Sequence, residues 1–272
     1  MVNKFPRINF IGNKEKLAKI ICDNIPPNTL TFFDAFSGGG SVGFEAKKRG
    51  FKVITNDIMK INYLISHALI ENSKVILESE DLEILFSGKP VEGYMFKNYR
   101  NRLFFPEECM ELDQYRRNVD KLKNKYKKSL ALILLRRAMI RKMPYSRFNL
   151  GWNKITQLRD EEYSYRKYKR KRSYHNLEIK RHILDNLSLY NNAIFDNGEK
   201  NRALNKNVFE AIEKVNADAI YLDPPYTGTM NNYFDFYSLL DEFIKNRKSK
   251  PFKDNFIDKK RPYFFLINFF PN

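Results

Sequence analysis

The sequence predicts an α/β protein with a doubly wound sheet, interrupted by a largely helical, basic insert. Three observations predict it. A short apolar strand near the N-terminus runs into a glycine-rich turn and then a helix. A second apolar strand, near residue 220, ends in Asp223-Pro224-Pro225-Tyr226. Between these α/β segments lies a block that carries nearly all of the excess positive charge. Strands alternating with helices are the pattern of a parallel sheet covered by helices on its faces.

Taken in order, Leu17, Ile20, Ile21 and Ile25 recur at helical spacing until Pro26-Pro27 breaks the run. Leu30 to Phe36 reads as a strand, Val42 to Arg49 as a helix stopped by Gly50, and Phe51 to Thr55 as a second strand ending at Asn56-Asp57. From Lys97 to Arg181 about 25 Lys and Arg stand against about ten Asp and Glu. This block is expected to hold helices near 107–128 and 130–142, followed by the aromatic-basic stretch from Tyr163 to Arg172. An ordinary solvated helical face would give the same charge run. After Ala193 the pattern resumes: Ile194-Phe195 as a strand, Val208–Val215 as a helix, Ala219–Leu222 as a strand, and Phe236, Leu239, Leu240 and Phe243 at helical spacing. Residues 1–58 and 191–272 thus read as a split catalytic domain, and 59–190 as an inserted recognition region.

Composition narrows the partner. The chain has 272 residues, 43% hydrophobic and 15% aromatic, enough to bury a core. Its 49 Lys and Arg against 32 Asp and Glu give a net charge of +17. That excess favours a polyanion held through phosphate contacts and counterion release. Cys22 and Cys109 lack metal-ligand spacing and His67, His175 and His182 are scattered, so no metal is expected. No apolar run approaches the roughly 20 residues of a membrane span, nor does the N-terminus read as a signal segment. The expectation is a soluble cytoplasmic protein.

Two motifs carry chemistry. In Asp34-Ala35-Phe36-Ser37-Gly38-Gly39-Gly40-Ser41-Val42-Gly43 a glycine turn between strand and helix lets backbone approach a ligand closely. Asp57, about 20 residues on, suits a ribose diol. A nucleoside fits this arrangement. A P-loop does not, because no Gly-Lys-Ser/Thr follows. In Asp223-Pro224-Pro225-Tyr226 an acidic acceptor, a fixed carbonyl and an aromatic ring can grip a planar base bearing an amino group. A bare tight turn and a chance surface tetrapeptide are the plainer readings of the two motifs.

Together these residues resemble the Dam-like, alpha-order class of site-specific adenine-N6 DNA methyltransferases of type II restriction-modification. Phe10-Ile11-Gly12-Asn13-Lys14 is similar to the family's N-terminal cofactor-site segment, Asp34 to Gly43 to its cofactor motif, and Asp223 to Tyr226 to its catalytic tetrapeptide, all in the family's order. The basic middle from Leu134 to Asn149 also looks like members that modify short sites. The resemblance implies a Rossmann-like methyltransferase fold that binds S-adenosylmethionine and double-stranded DNA. It implies a separately acting cognate restriction endonuclease and no obligate protein partner.

The cofactor residues implied are Phe10, Gly12, Asn13, Lys14, Asp34, Phe36, Ser37, Gly38, Gly39, Gly40, Asp57 and Asp223. Within this set Lys14 is expected near the cofactor carboxylate. The catalytic residues implied are Asp223, Pro224, Pro225 and Tyr226, acting on an adenine flipped out of the duplex. Arg136, Arg137, Arg141, Arg147 and Lys154 are the expected DNA contacts. No Pro-Cys nucleophile appears, which argues against cytosine C5 methylation.

The sequence departs from the family at two places. Asn207 stands where relatives usually carry an acid near the adenine or the cofactor ring. Only 46 residues follow Tyr226, fewer than a sheet of about seven strands needs after the tetrapeptide. The alternation of a doubly wound sheet favours a truncated or frame-shifted product over a compact variant ending in a strand at 262–270. C-terminal strands would then be missing. A DNA-binding remnant without catalysis and an RNA adenine methyltransferase are the alternatives to an active DNA enzyme.

Overall fold

The computed structural model describes residues 3–10, 12–224 and 233–249. Helix α1 (Ala18–Asp23) precedes β1 (Thr31–Asp34), α2 (Ser41–Lys48) and β2 (Lys52–Asn56). The next stretch is helical: α3 (Lys60–Ser66), continued by a π-helical turn His67–Glu71, then α4 (Ser79–Phe86), α5 (Tyr94–Tyr99), α6 (Pro106–Val119), α7 (Lys125–Lys142), α8 (Trp152–Arg159), α9 (Glu161–Tyr168) and α10 (Ile179–Asn191). Then come β3 (Arg202–Leu204), α11 (Val208–Ile212), β4 (Ala219–Tyr221) and α12 (Tyr233–Lys245).

The four described strands form one parallel sheet in the order β3-β2-β1-β4. Asp34 at the end of β1 is paired with Thr55 on one side and Tyr221 on the other. The chain grows outward from β1 to β2 and β3, then returns to the opposite side of β1 for β4. That reversal leaves a crevice at the carboxyl ends of β1 and β4, the place where doubly wound sheets bind ligands.

One sheet face and the helical segment share a continuous apolar core, from Val42, Val53 and Ile65 to Leu112, Leu134 and Ile183. A smaller core of Phe33, Ile54, Val208 and Ala211 lies on the other face. The segment 59–190 is therefore helical as expected, but it does not have a core of its own. Asp241 of α12 fastens this body to the start of α3, accepting from the amides of Ile61 (2.9 Å) and Lys60 (3.3 Å). Among the described residues no helix is long and apolar enough to cross a membrane.

Several expected elements are displaced. The helix at 107–128 breaks after Val119, and Asn124 caps a new one by accepting from the Tyr126 amide at 2.8 Å. Ile194-Phe195 is not a strand. The third strand is Arg202–Leu204, which has no apolar pattern and is defined by pairing with β2. The loop before it is held by amide side chains. Asn197 donates to the carbonyls of Lys47 and Phe51, and Asn201 accepts from the Val53 amide at 2.8 Å. In α1 the buried residues are Ala18 and Cys22, whereas Leu17 and Ile20 are exposed. The strand expected at 262–270 lies outside the described residues.

Candidate cofactor and catalytic site

The crevice at the strand ends opens into a cleft of about 990 Å³, its mouth included. Its chemistry is built from three strand ends. At the end of β1 the Asp34 carboxylate is buried, and its Oδ2 accepts from the Gly43 amide at 3.2 Å. Its Oδ1, in the cleft wall, has no hydrogen-bond partner. Burial pushes this carboxyl up to about 7, with the charges of Asp223 and Asp57 adding to the rise.

Ser37 to Gly40 then turn sharply, with the Ser37 amide on the Asn56 carbonyl (2.9 Å) and the Gly40 amide on the Ser37 carbonyl (2.7 Å). Gly38 sits at φ +49°, in the left-handed region that favours glycine. Phe10 lies directly behind the turn. A Cβ on Gly39 would fall 2.9 Å from Phe10 Cβ, and one on Gly38 2.8 Å from the Phe10 ring. The glycines thus let the turn close against an aromatic wall that is itself stacked on Tyr237 at 4.9 Å.

At the end of β2, Asp57 accepts from the amides of Gly38 (2.9 Å) and Met59 (2.8 Å). Burial raises its carboxyl to about 6, against the lowering effect of those bonds and one from Asn62. Beyond β4, Asp223 Oδ2 meets Lys14 Nζ at 2.5 Å. Three carboxylates therefore converge on one cleft whose opposite wall is apolar and aromatic.

Two consequences are testable on the protein alone. Both Asp34 and Asp57 have folded values above the ordinary 3.8, so the folded state holds protons that the unfolded state releases. Their contribution to stability is complete below about pH 4 and lost as pH rises through 6 and 7. Thermal melts from pH 4 to 8 should show that decline, and Asp34→Asn should flatten it. An unchanged slope in Asp34→Asn would place the titration elsewhere. Gly39→Ala, whose Cβ would press on Phe10 in the cleft wall, should cost about 1–3 kcal/mol in ligand affinity, roughly five- to 150-fold. Isothermal titration would check it, and undiminished affinity would mean that the wall gives way without effect.

The D12 class N6 adenine-specific DNA methyltransferase family matches residues 10–268. The chain belongs to this family. It is 54% identical over 258 residues to type II methyltransferase M2.HphI of Haemophilus parahaemolyticus, covering 95% of this chain and 77% of that protein. It is 27% identical over 261 residues to type II methyltransferase M.FokI of Planomicrobium okeanokoites, spanning 86% of this chain and 36% of that longer protein. Type II methyltransferase M.NlaIII of Neisseria lactamica is 24% identical over 261 residues, 89% of this chain and 72% of its own length.

Within this D12-family chain, Phe10, Gly12, Asn13, Lys14, Asp34, Phe36, Ser37, Gly38, Gly39, Asp57 and Asp223 all line the cleft. Gly40 does not. At φ +80° it turns the chain into α2. Lys14 Nζ meets the Asp223 carboxylate within this cleft. Asn207 lines the cleft, but its Oδ1 caps α11 by accepting from the Phe209 amide at 3.0 Å. Pro224 is half-buried, and Pro225 and Tyr226 lie outside the described residues. Ile58, Met59 and Asn62, which extend the wall beyond Asp57, were not expected from the sequence, nor were Lys206 and Tyr221. Their positions after β2, before α11 and at the end of β4 are the only signal that could have found them.

The expected DNA contacts divide. Arg136 is 1% exposed, and its guanidinium donates to the carbonyls of Ile8 (2.5 Å) and Asn9 (3.3 Å). Arg137 is also buried, with Nε 3.4 Å from Asn186 Oδ1. Both sit on α7 at the centre of the core, away from solvent. Arg147 is exposed and Arg141 and Lys154 are half-buried.

Proposed function

We propose that this chain transfers a methyl group from S-adenosylmethionine to the exocyclic amino group of adenine in a specific double-stranded DNA sequence. It would serve as the modification enzyme of an intracellular restriction-modification system whose nuclease acts separately. One observation carries the reading: Asp34, the Gly38-Gly39 turn, Asp57 and Asp223 converge on a single cleft at the switch point of the sheet.

The residues fit the cofactor. The unpartnered Asp34 Oδ1 is an acceptor for a cationic amino group. Asp57 accepts from the Gly38 and Met59 amides and from Asn62, which leaves about one of its four or so lone-pair sites for a ribose hydroxyl. The Phe10 and Phe36 side of the cleft offers apolar surface to a purine. When bound, S-adenosylmethionine supplies an electrophilic methyl group on a positively charged sulfur. Asp223 and the Pro224 carbonyl would accept from the amino group of a flipped adenine, drawing its lone pair out of conjugation and towards that methyl. Tyr226 would stack on the base, an interaction typically worth about 1–3 kcal/mol. The division of labour would follow the chain: sheet residues for chemistry, the segment 59–190 for the duplex.

The test is transfer of labelled methyl from S-adenosylmethionine to unmethylated genomic DNA by purified protein, followed by nucleoside analysis. Label in N6-methyladenine is expected. Label in cytosine, label only in RNA, or no label despite DNA binding would overturn the proposal.

A further inference from the structure

The aromatic-basic stretch that the cleft does not use is folded into a defined surface. The chain leaves α9 through Lys169 and passes Arg172, both in left-handed conformations (φ +55° and +45°). Arg172 thereby lies over the Tyr145 ring at 4.7 Å and near the Tyr168 ring at 5.2 Å. Alongside, Arg141 lies over the Tyr174 ring at 4.1 Å. Tyr145 itself is 51% exposed and sits at φ +56°, followed by Ser146 at φ +58°. Two consecutive side-chain-bearing residues in that region are strained, and such strain persists where the surroundings enforce it and often marks functional sites. Tyr145, Arg170, Arg172 and Tyr174 share one shallow cleft.

Among the described residues none of Arg141, Arg170 and Arg172 makes an ion pair with a carboxylate. A guanidinium stacked on a ring has its plane fixed, and Arg172, which also bonds the Tyr145 hydroxyl, keeps its remaining N–H donors for a ligand. The support beneath is rigid: the buried His175 ring bonds the Arg141 carbonyl at 2.7 Å, and Asn176 donates to the Arg159 carbonyl at 2.9 Å. The surface also adjoins the reaction cleft. Ser146 accepts from Asn9 at 3.2 Å, and the next residue, Phe10, forms the cleft wall.

We propose that Tyr145, Arg170 and Arg172 form a clamp for the phosphodiester backbone of duplex DNA beside the reaction cleft. Tyr145 orients the Arg172 fork, and Arg170 closes the other side. Such a contact positions the duplex without reading its sequence. The inference rests on the DNA reading above.

The test is binding of a fluorescent random-sequence duplex and of a second, unrelated duplex across a salt series. Arg172→Gln and Arg170→Gln should each weaken both duplexes several-fold by the same factor. Each should also lower the slope of log affinity against log salt by about 0.9 for every phosphate it no longer neutralises. Tyr145→Leu should behave like Arg172→Gln, whereas Tyr145→Phe keeps the ring, loses only the hydroxyl's bond to Arg172, and should weaken binding less than Tyr145→Leu. Arg170 is exposed, so its variant keeps the test decisive if Arg172→Gln misfolds. Unaltered protein that binds duplex alongside variants of equal affinity and slope would overturn the clamp alone. A loss confined to one sequence would also overturn it, in favour of base reading. Failure of the unaltered protein to bind duplex would overturn the DNA reading and the clamp with it.

Discussion

Asp223→Ala is expected to lower methyl transfer by at least about 10²–10³-fold, the usual cost of removing one group aimed at developing charge. Binding of S-adenosylmethionine should survive. The two effects separate because Asp223 acts electrostatically on both sides of the cleft. Its charge helps to hold the Asp34 carboxyl high. Its removal should let Asp34 ionise more readily and leave the cofactor end of the site no worse. Catalysis has no such relief, since the acceptor that follows β4 is gone and Lys14 loses the carboxylate it meets at 2.5 Å. Asp223→Asn keeps one acceptor without the charge and should fall between the two. Single-turnover transfer to duplex DNA, beside a calorimetric cofactor titration, would check this. Activity of Asp223→Ala within tenfold of the unaltered protein would remove Asp223 from the chemistry.

The sequence showed the cleft more clearly than the helical body, for physical reasons. β1, its glycine turn, α2 and β2 are dictated locally: an apolar run, glycines where Phe10 presses close, and an acid where the next strand ends. The cleft residues therefore line up with the motif almost one for one. β3 was illegible because Arg202-Ala203-Leu204 owes its conformation to pairing with β2 and to the Asn201 side chain, not to its own pattern. Arg136 and Arg137 misled in another way. Basic residues on a helix ordinarily face solvent, but 13 of the 18 residues of α7 are buried. A helix apolar on every side lies in a core, and Leu130, Leu132, Leu134, Leu135 and Ala138 circle this one. That pattern in α7 puts both arginines inside, Arg136 bonded to two backbone carbonyls and Arg137 to the Asn186 side chain. The aromatic-basic stretch was legible as composition only; the left-handed turns that stack its arginines on tyrosines are set by the body beneath.

Arg159→Ala should destabilise the fold by about 3–5 kcal/mol, the range for leaving a buried charge without its partner. Glu108, Arg159 and Lys142 meet inside the helical body with side chains 9%, 4% and 3% exposed, so solvent screens them little. Arg159 grips Glu108 through two bonds, at 2.9 Å and 2.6 Å, and Lys142 adds a third at 2.6 Å. Burial alone would raise the Glu108 carboxyl, but these two cations more than offset it and hold the group below the ordinary carboxylate range. The cluster also supports the surface above it. Arg159 Nε meets Asn176 Oδ1 at 3.3 Å, and Lys142 donates to the Leu177 carbonyl at 2.7 Å. These ties join α6, α7 and α8 to the turn that carries Arg172 and Tyr174. Denaturant unfolding should show the loss in stability. At temperatures where Arg159→Ala remains folded, its duplex affinity should fall as well, since the clamp would lose its base. A variant that unfolds within about 1 kcal/mol of the unaltered protein would show that Lys142 alone balances Glu108.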